Sequence, residues 1–139
     1  MSLEQKRLFK NWHVQLTEEF TYVNNGESGK FVSGDRSVYL MSLNVKDKNG
    51  KALTAKAGVQ IAHEMLLNLG GEPPTVPTLV NAHFVEIWST RCIGYISDGY
   101  VVNSTKTVRG KIASITLTFK NIIDEEWARH TFDSITYIP

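Results

Sequence analysis

The sequence feature that most constrains the fold is the C-terminal stretch, in which one periodicity gives way to another. Residues 111–119 alternate between apolar side chains and serine or threonine, which is the two-residue period of a half-buried strand. Over residues 121–137 the apolar side chains recur about every fourth position, which is the period of an amphipathic helix. The rest of the chain should therefore supply the remaining strands of a sheet and one further helix to cover it.

The remaining pattern predicts an α+β fold, a single antiparallel β-sheet with helices packed against it. Residues 37–46 predict a strand inside the sheet, with its first part covered on both sides. Thr54 is the expected N-cap of a helix over residues 54–69. A four-strand meander is predicted at residues 79–88, 91–97, 100–109 and 111–119, with Ser89-Thr90 as one of its turns. Residues 3–10 are too short and charged for a stable element, so we expect a frayed tail or a single turn there.

Length and composition predict one compact unit, with residues 1–139 forming a single α+β domain. Hydrophobic residues make up 42% of the chain and charged residues 21%, so neither disorder nor a fibrous repeat is indicated. Fifteen basic and fourteen acidic residues leave a formal charge of +1. Because this charge creates no long-range field for phosphate backbones, nucleic acid is not an expected partner.

Cysteine content and hydropathy bear on the compartment. The chain has one cysteine, Cys92, which cannot form an internal disulfide and lies in an apolar run typical of a buried, inert thiol. No segment approaches the roughly 20 apolar residues of a membrane span. We therefore expect a cytoplasmic protein, either a monomer or a homodimer paired through an open sheet edge.

No combination of residues predicts an enzyme, a cofactor or a metal. His63-Glu64 begins like a zinc-protease helix, but Leu67 stands where the second histidine would be needed. The other histidines, His13, His83 and His130, fall on separate predicted elements. Catalysis would require at least two histidines to meet Asp35 or Glu64 in one cleft.

Two sequence neighbourhoods are candidates for contact with a partner. Trp88 is predicted at a strand end, where a partly exposed indole beside the guanidinium of Arg91 would suit a binding site. Asp35 and Arg36 lie in a predicted turn, either as an ion pair with each other or as an exposed recognition element. A further set of side chains is predicted to remain exposed on strand faces: Thr105, Thr107, Thr116 and Thr118.

The C-terminal strand and helix resemble those of the PsbP/DcrB-like proteins, whose closing helix carries a serine before an aliphatic residue. The matching residues are Trp127, Phe132, Ser134 and Ile135, and the order of the predicted elements is also similar. The resemblance implies an antiparallel sheet with helices packed on it. It also implies a binding or assembly role, in some members as bacterial partners of secreted effectors or toxins. It transfers no catalytic residue to this chain.

These observations predict a non-enzymatic protein-binding module, whose exposed sheet face or loop ends dock another protein. An effector or toxin partner, or an immunity-type protein, is one version of this hypothesis. The alternative is a small-molecule or lipid carrier with an apolar pocket between the sheet and helix 54–69. That alternative requires a true cavity, so a solid core filled by Met65, Leu66 and Phe84 would count against it.

Overall fold

The computed structural model describes residues 2–69, 72–80, 85–96 and 99–139. The strands in these ranges are β1 Glu4–Phe9, β2 Trp12–Leu16, β3 Thr21–Asn24, β4 Ser28–Ser33, β5 Arg36–Asn44, β6 Thr78–Val80, β7 Ile87–Ile96, β8 Gly99–Val108, β9 Lys111–Phe119 and β10 Thr136–Tyr137. The helices are α1 Ala55–Leu67 and α2 Glu125–Ser134, the latter preceded by a single 3-10 turn, Ile122–Asp124. The predicted α+β class is confirmed.

The larger sheet has seven strands in the order β3-β4-β5-β9-β8-β7-β6, and every neighbouring pair is antiparallel. Strand β9 has the bounds that the alternation predicts, and β5 lies between β4 and β9 inside the sheet, as expected. The predicted turn at Ser89-Thr90 is wrong, because both residues lie within the continuous strand β7. Threonine favours extended backbone, and no glycine, proline or asparagine interrupts the chain there.

A second sheet of three strands, in the order β1-β2-β10, makes the prediction of a single sheet wrong. Its N-terminal strand replaces the expected frayed tail. Leu8 of β1 is completely buried, as are Val14 and nearly all of Trp12 in β2, so the small sheet contributes directly to the core. Glu4 and Arg7 occupy exposed positions of β1, and the half-buried Lys6 donates to the Thr17 carbonyl, so the segment is charged and yet ordered.

The C-terminal helix is shorter than its periodicity predicts. Helix α2 ends at Ser134, and the following residues form β10 on the edge of β2. The backbone amide of Gln15 donates to the Ser134 hydroxyl at 3.0 Å. Thr136 and Tyr137 favour extended backbone, so an available strand edge decides between continued helix and strand.

The two faces of the seven-stranded sheet are covered differently. One face, called here the closed face, packs against the small sheet and α2. The core there includes Val38 and Leu40 of β5, Ile115 and Leu117 of β9, and Phe132 of α2. The seven-stranded sheet and the three-stranded sheet approach each other so closely that a Cβ on Gly29 of β4 would overlap the carbonyl oxygen of Leu8.

The other face carries α1, which packs on β7, β8 and β9. Thr54 is the N-cap, as predicted, and its hydroxyl accepts a hydrogen bond from the Ala57 amide at 3.1 Å. Gly58, Val59 and Ala62 are buried on the side of α1 that packs on the sheet. The small side chains of Gly58 and Ala62 permit a close approach of helix and sheet. Strands β3, β4 and β5 extend beyond α1. On the face of the sheet that carries α1, the part formed by these three strands and β9 is called here the open face. Within the described ranges, neither α1 nor α2 has the length and apolar character needed to cross a membrane.

Candidate functional site

Trp88 lies on the side of β7 that faces α1 and is partly exposed. Its indole Nε1 donates to the Glu86 carboxylate at 2.6 Å, and the ammonium of Lys56 lies 5.7 Å from the ring centroid. Lysine, acid and indole thus form one small cluster beside the first turn of α1. The cation next to the indole is therefore Lys56 and not the guanidinium expected from the sequence.

Arg91 lies on the opposite side of β7, because the three-residue separation from Trp88 reverses the direction of the side chain. Its guanidinium is 5.7 Å from the Phe132 ring and 3.7 Å from the Asp133 carboxylate, both on α2. The prediction that Trp88 and Arg91 lie side by side is thus wrong. It depended on the turn at Ser89-Thr90, which would have reset the strand alternation.

Asp35 is exposed in the turn between β4 and β5, and Arg36 opens β5. Arg36 forms its ion pair with Glu19 at 3.3 Å rather than with Asp35. Its guanidinium lies 5.1 Å from the rings of both Phe20 and Trp127, which stack on each other. This arrangement ties the start of β5 to α2. The pKa of the Glu19 carboxyl is lowered by hydrogen bonds from Thr17 and its own backbone, with a further contribution from Arg36.

The four residues therefore do not form one site. They occupy the α1 side of β7, its α2 side, and the turn between β4 and β5. Contact of each residue with a partner stays a prediction. What the structure adds is a continuous surface, the open face, which the sequence indicated only as an unspecified sheet face.

The open face combines apolar and polar side chains over several strands. On β5, Tyr39 and Leu43 are half-buried and Met41 is 37% exposed, so this strand is covered on one side and not on both as predicted. The register places Tyr39 between Lys30 of β4 and Thr116 of β9. The Lys30 side chain is half-buried, and its ammonium forms no hydrogen bond or ion pair within the described ranges.

Helix α1 borders the open face with two apolar side chains. Lys56 and His63 mark the flank of α1 toward β7, where they approach Trp88 and Thr90. At 100° per residue, Ile61 and Met65 project from the opposite flank, toward β9 and β5. They are 41% and 39% exposed. The open face is therefore a shallow surface with an apolar helix wall, rather than a flat polar sheet.

The predicted exposure of threonine faces is half right. Thr116 and Thr118 of β9 are partly exposed on the open face. Thr105 and Thr107 of β8 are buried, because α1 covers them, and the Thr107 hydroxyl donates to the Ala55 carbonyl at 2.9 Å. Alternation predicts which residues share a face, but it does not predict where a helix will lie on it.

Lys106 of β8 is a buried residue that the sequence did not single out. It is 1% exposed, and its ammonium donates to the carbonyls of Phe132 and Ile135, each at 2.6 Å. It also lies 4.6 Å from the Phe132 ring. The lysine thus stabilises the C-terminal end of α2, where a cation is electrostatically favourable. Burial lowers the pKa of Lys106 to about 7, with Asp133 opposing this shift and Arg91 adding to it. A lysine between two threonines gives no sequence signal for such a role.

The space under α1 bears on the carrier hypothesis. Leu66 is buried on the sheet, but Met65 is partly exposed, and Phe84 lies outside the described residues. A Cβ on Gly58 would already be 3.7 Å from the Thr107 side chain, so helix and sheet are in contact there. A groove of about 570 Å³ lies beyond the first turn of α1 and is partly lined by charged Lys56, Glu86 and Arg109. The carrier function stays a prediction.

The described histidines are distributed over β2, α1 and α2. His13 contacts the Asn11 carbonyl, His63 contacts Thr90, and His130 pairs with Glu126 one helical turn away. His83 lies outside the described residues. Among the residues that the structure does describe, no group of three histidine, cysteine or acidic side chains is arranged to hold a metal ion.

Comparison with solved structures shows which known fold this chain resembles. The chain is similar to the solution structure of cyanobacterial PsbP (CyanoP) from Synechocystis sp. PCC 6803, with a TM-score of 0.56. The match covers 99% of this chain and 93% of that chain at 12% sequence identity. No protein-family model and no curated protein sequence matches the chain. The fold is therefore PsbP-like, as the C-terminal strand and helix indicated, and an identity this low supports a statement about the fold alone.

Proposed function

We propose that this protein is a non-enzymatic docking module that binds another protein through the open face. The observation that carries the proposal is the incomplete cover of the α1 side of the sheet. Helix α1 packs on β7, β8 and β9, so Tyr39, Met41 and Leu43 of β5 retain contact with solvent. Partly exposed apolar side chains on an uncovered sheet face, interspersed with polar residues such as Thr116, are a surface on which a protein partner can dock.

The chemistry of the surface restricts the partner. Met41, Ile61 and Met65 offer flexible aliphatic contacts, and methionine adapts well to a partner surface. Lys30 lies beside Tyr39 on the same surface, and its ammonium forms no ion pair within the described ranges. A partner should therefore present apolar side chains around one carboxylate, because an unpaired ammonium desolvated by docking would cost free energy.

The proposal includes a cytoplasmic protein that acts as a monomer or a homodimer. The single cysteine, which leaves no internal disulfide, supports this compartment. A bacterial effector or toxin as the partner rests on the resemblance alone, since one fold supports many functions. The properties expected of the partner therefore follow from the side chains of the open face and not from the fold.

The test is affinity capture from a lysate of the source organism with four tagged forms: wild type, Met41→Glu, Ile61→Glu and Ile123→Glu. Ile123 is the matched control because it is 78% exposed in the 3-10 turn before α2. We expect a stoichiometric protein that wild type and Ile123→Glu retain and that Met41→Glu and Ile61→Glu lose. Hydrogen exchange of the captured complex should then show protection over β5.

Trp88→Ala extends the test to the site predicted from the sequence. Loss of the captured protein with Trp88→Ala, but not with Met41→Glu, would transfer the binding site to the Lys56–Trp88–Glu86 cluster and contradict the open-face proposal. Thermal unfolding of each variant shows whether a loss reflects binding or folding. Equal capture by all five forms would also exclude the open face as the docking surface.

A further inference from the structure

A small cleft lies on the other side of the molecule from the open face. It is bounded by α2, by strand β7 and by residues 72–77, a connector with three prolines that leads from α1 to β6, and its volume is about 250 Å³. The connector is fixed to β7 at Thr75, whose amide donates to the Arg91 carbonyl at 2.8 Å and whose hydroxyl accepts from the Arg91 amide at 3.1 Å. The Thr90 hydroxyl donates to the Thr75 carbonyl at 2.7 Å. The wall of the cleft is therefore preformed.

Four charged side chains line this cleft, two of each sign. They are Arg91 and Arg129 as cations and Glu72 and Glu125 as anions. Arg91 has a long ion pair with Asp133, whose side chain is 64% exposed. Within the ranges that the structure describes, Arg129, Glu72 and Glu125 form no ion pair at all. Opposite charges thus share one concavity without neutralising each other directly.

The inner surface of the cleft is apolar. Phe132 is buried there between α2 and the sheet, and Val102 of β8 lies beside it on the same face of the sheet. The cavity is smaller than the roughly 300–1,000 Å³ of sites for drug-sized ligands. A ligand that fills it must therefore be small.

We propose that this cleft binds a free amino acid or another zwitterion of that size. The guanidinium groups of Arg91 and Arg129 bind the carboxylate, because a planar guanidinium matches two carboxylate oxygens. The carboxylates of Glu72 and Glu125 bind the ammonium group, and an apolar side chain packs on Phe132. A ligand with only one charge would use only one of these two pairs and should therefore bind more weakly. This site is separate from the proposed docking surface and does not depend on it.

The experiment is a titration of the full chain with each of the twenty amino acids, followed by amide NMR shifts and by calorimetry. Acetate and methylamine serve as probes that carry only one of the two charges. Arg91→Gln and Glu72→Gln each remove one half of the proposed recognition. Arg7→Gln is the matched control, because Arg7 is exposed on β1 of the small sheet.

We expect at least one amino acid to bind with shifts in β7 and α2. Each of Arg91→Gln and Glu72→Gln should weaken binding by about tenfold or more, whereas Arg7→Gln should leave it unchanged. Binding of acetate as tight as that of every amino acid would overturn the proposal, since the cleft would then be a simple anion site. Absence of binding by all twenty amino acids at up to about 10 mM would overturn it as well.

Discussion

The two faces of the seven-stranded sheet are built from the same strands but from different kinds of contact. On the closed face, Leu40 and Leu117 are completely buried beneath the small sheet and α2. On the open face, the neighbouring Met41 is 37% exposed and the nearest cover, α1, lies over other strands. One face therefore provides most of the packing free energy, and the other is available for contact. Substitutions on the closed face should therefore lower the free energy of unfolding, whereas substitutions on the open face should change partner binding with little effect on stability.

The largest expected effect comes from adjacent residues of β5 that point to opposite faces. Leu40→Ala should lower the free energy of unfolding by about 2–5 kcal/mol, because it leaves a cavity in the closed core. Met41→Ala should change it by no more than about 0.5 kcal/mol, since its side chain is already partly solvated. Urea denaturation followed by tryptophan fluorescence measures both values. Similar losses for the two variants would show that the open face is also part of the stabilising core.

Two glycines, one at each face of the sheet, provide a second comparison, in which the expected change in the free energy of unfolding is smaller. Gly29→Ala should destabilise by roughly 1–3 kcal/mol, because its Cβ would overlap the Leu8 carbonyl and separate the two sheets. Gly58→Ala should be neutral or stabilise by up to about 1 kcal/mol, since its Cβ meets Thr107 at 3.7 Å and alanine favours helix. Thermal unfolding checks both. A larger loss from Gly58→Ala than from Gly29→Ala would reverse the assignment of the tighter face.

A further effect, which appears only when the pH is changed, concerns the buried lysine of the closed face. Burial lowers the pKa of Lys106 to about 7 in the folded protein, whereas the unfolded chain keeps its proton up to an ordinary value near 10.5. Between these values the unfolded state binds more protons, so the free energy of unfolding should rise with pH. From about pH 7 to about pH 9 the contribution is ~2 kcal/mol. Lys106→Met should remove it, as measured by urea denaturation at both pH values.

The difference between wild type and Lys106→Met isolates this contribution, because Cys92 and the other titrating groups are present in both proteins. Equal pH dependence in the two proteins would mean that Lys106 keeps its proton throughout this range. Its hydrogen bonds to Phe132 and Ile135 would then outweigh the cost of burying its charge.

Local sequence determined the elements whose signals are complete within a few residues. The alternation in residues 111–119 predicts β9 with its bounds, and Thr54 predicts the start of α1, because backbone conformation and capping depend on near neighbours. The PsbP-like order of elements could be recognised from the C-terminal strand and helix for the same reason. The relative positions of the site residues were predicted less accurately. The turn wrongly predicted at Ser89-Thr90 would have placed Trp88 and Arg91 side by side.

Only the tertiary structure decided how these elements combine. Residues 4–9 are charged and would not form a strand alone, but β2 supplies hydrogen-bond partners and the core takes up Leu8. The chain after Ser134 becomes β10 because β2 has an available edge. The burial of Lys106, Thr105 and Thr107 and the exposure of Met41 follow from where α1 and α2 come to lie. Apart from the local pairing of β1 with β2, these outcomes depend on contacts between residues far apart in sequence, and such contacts leave no periodic signal in either segment.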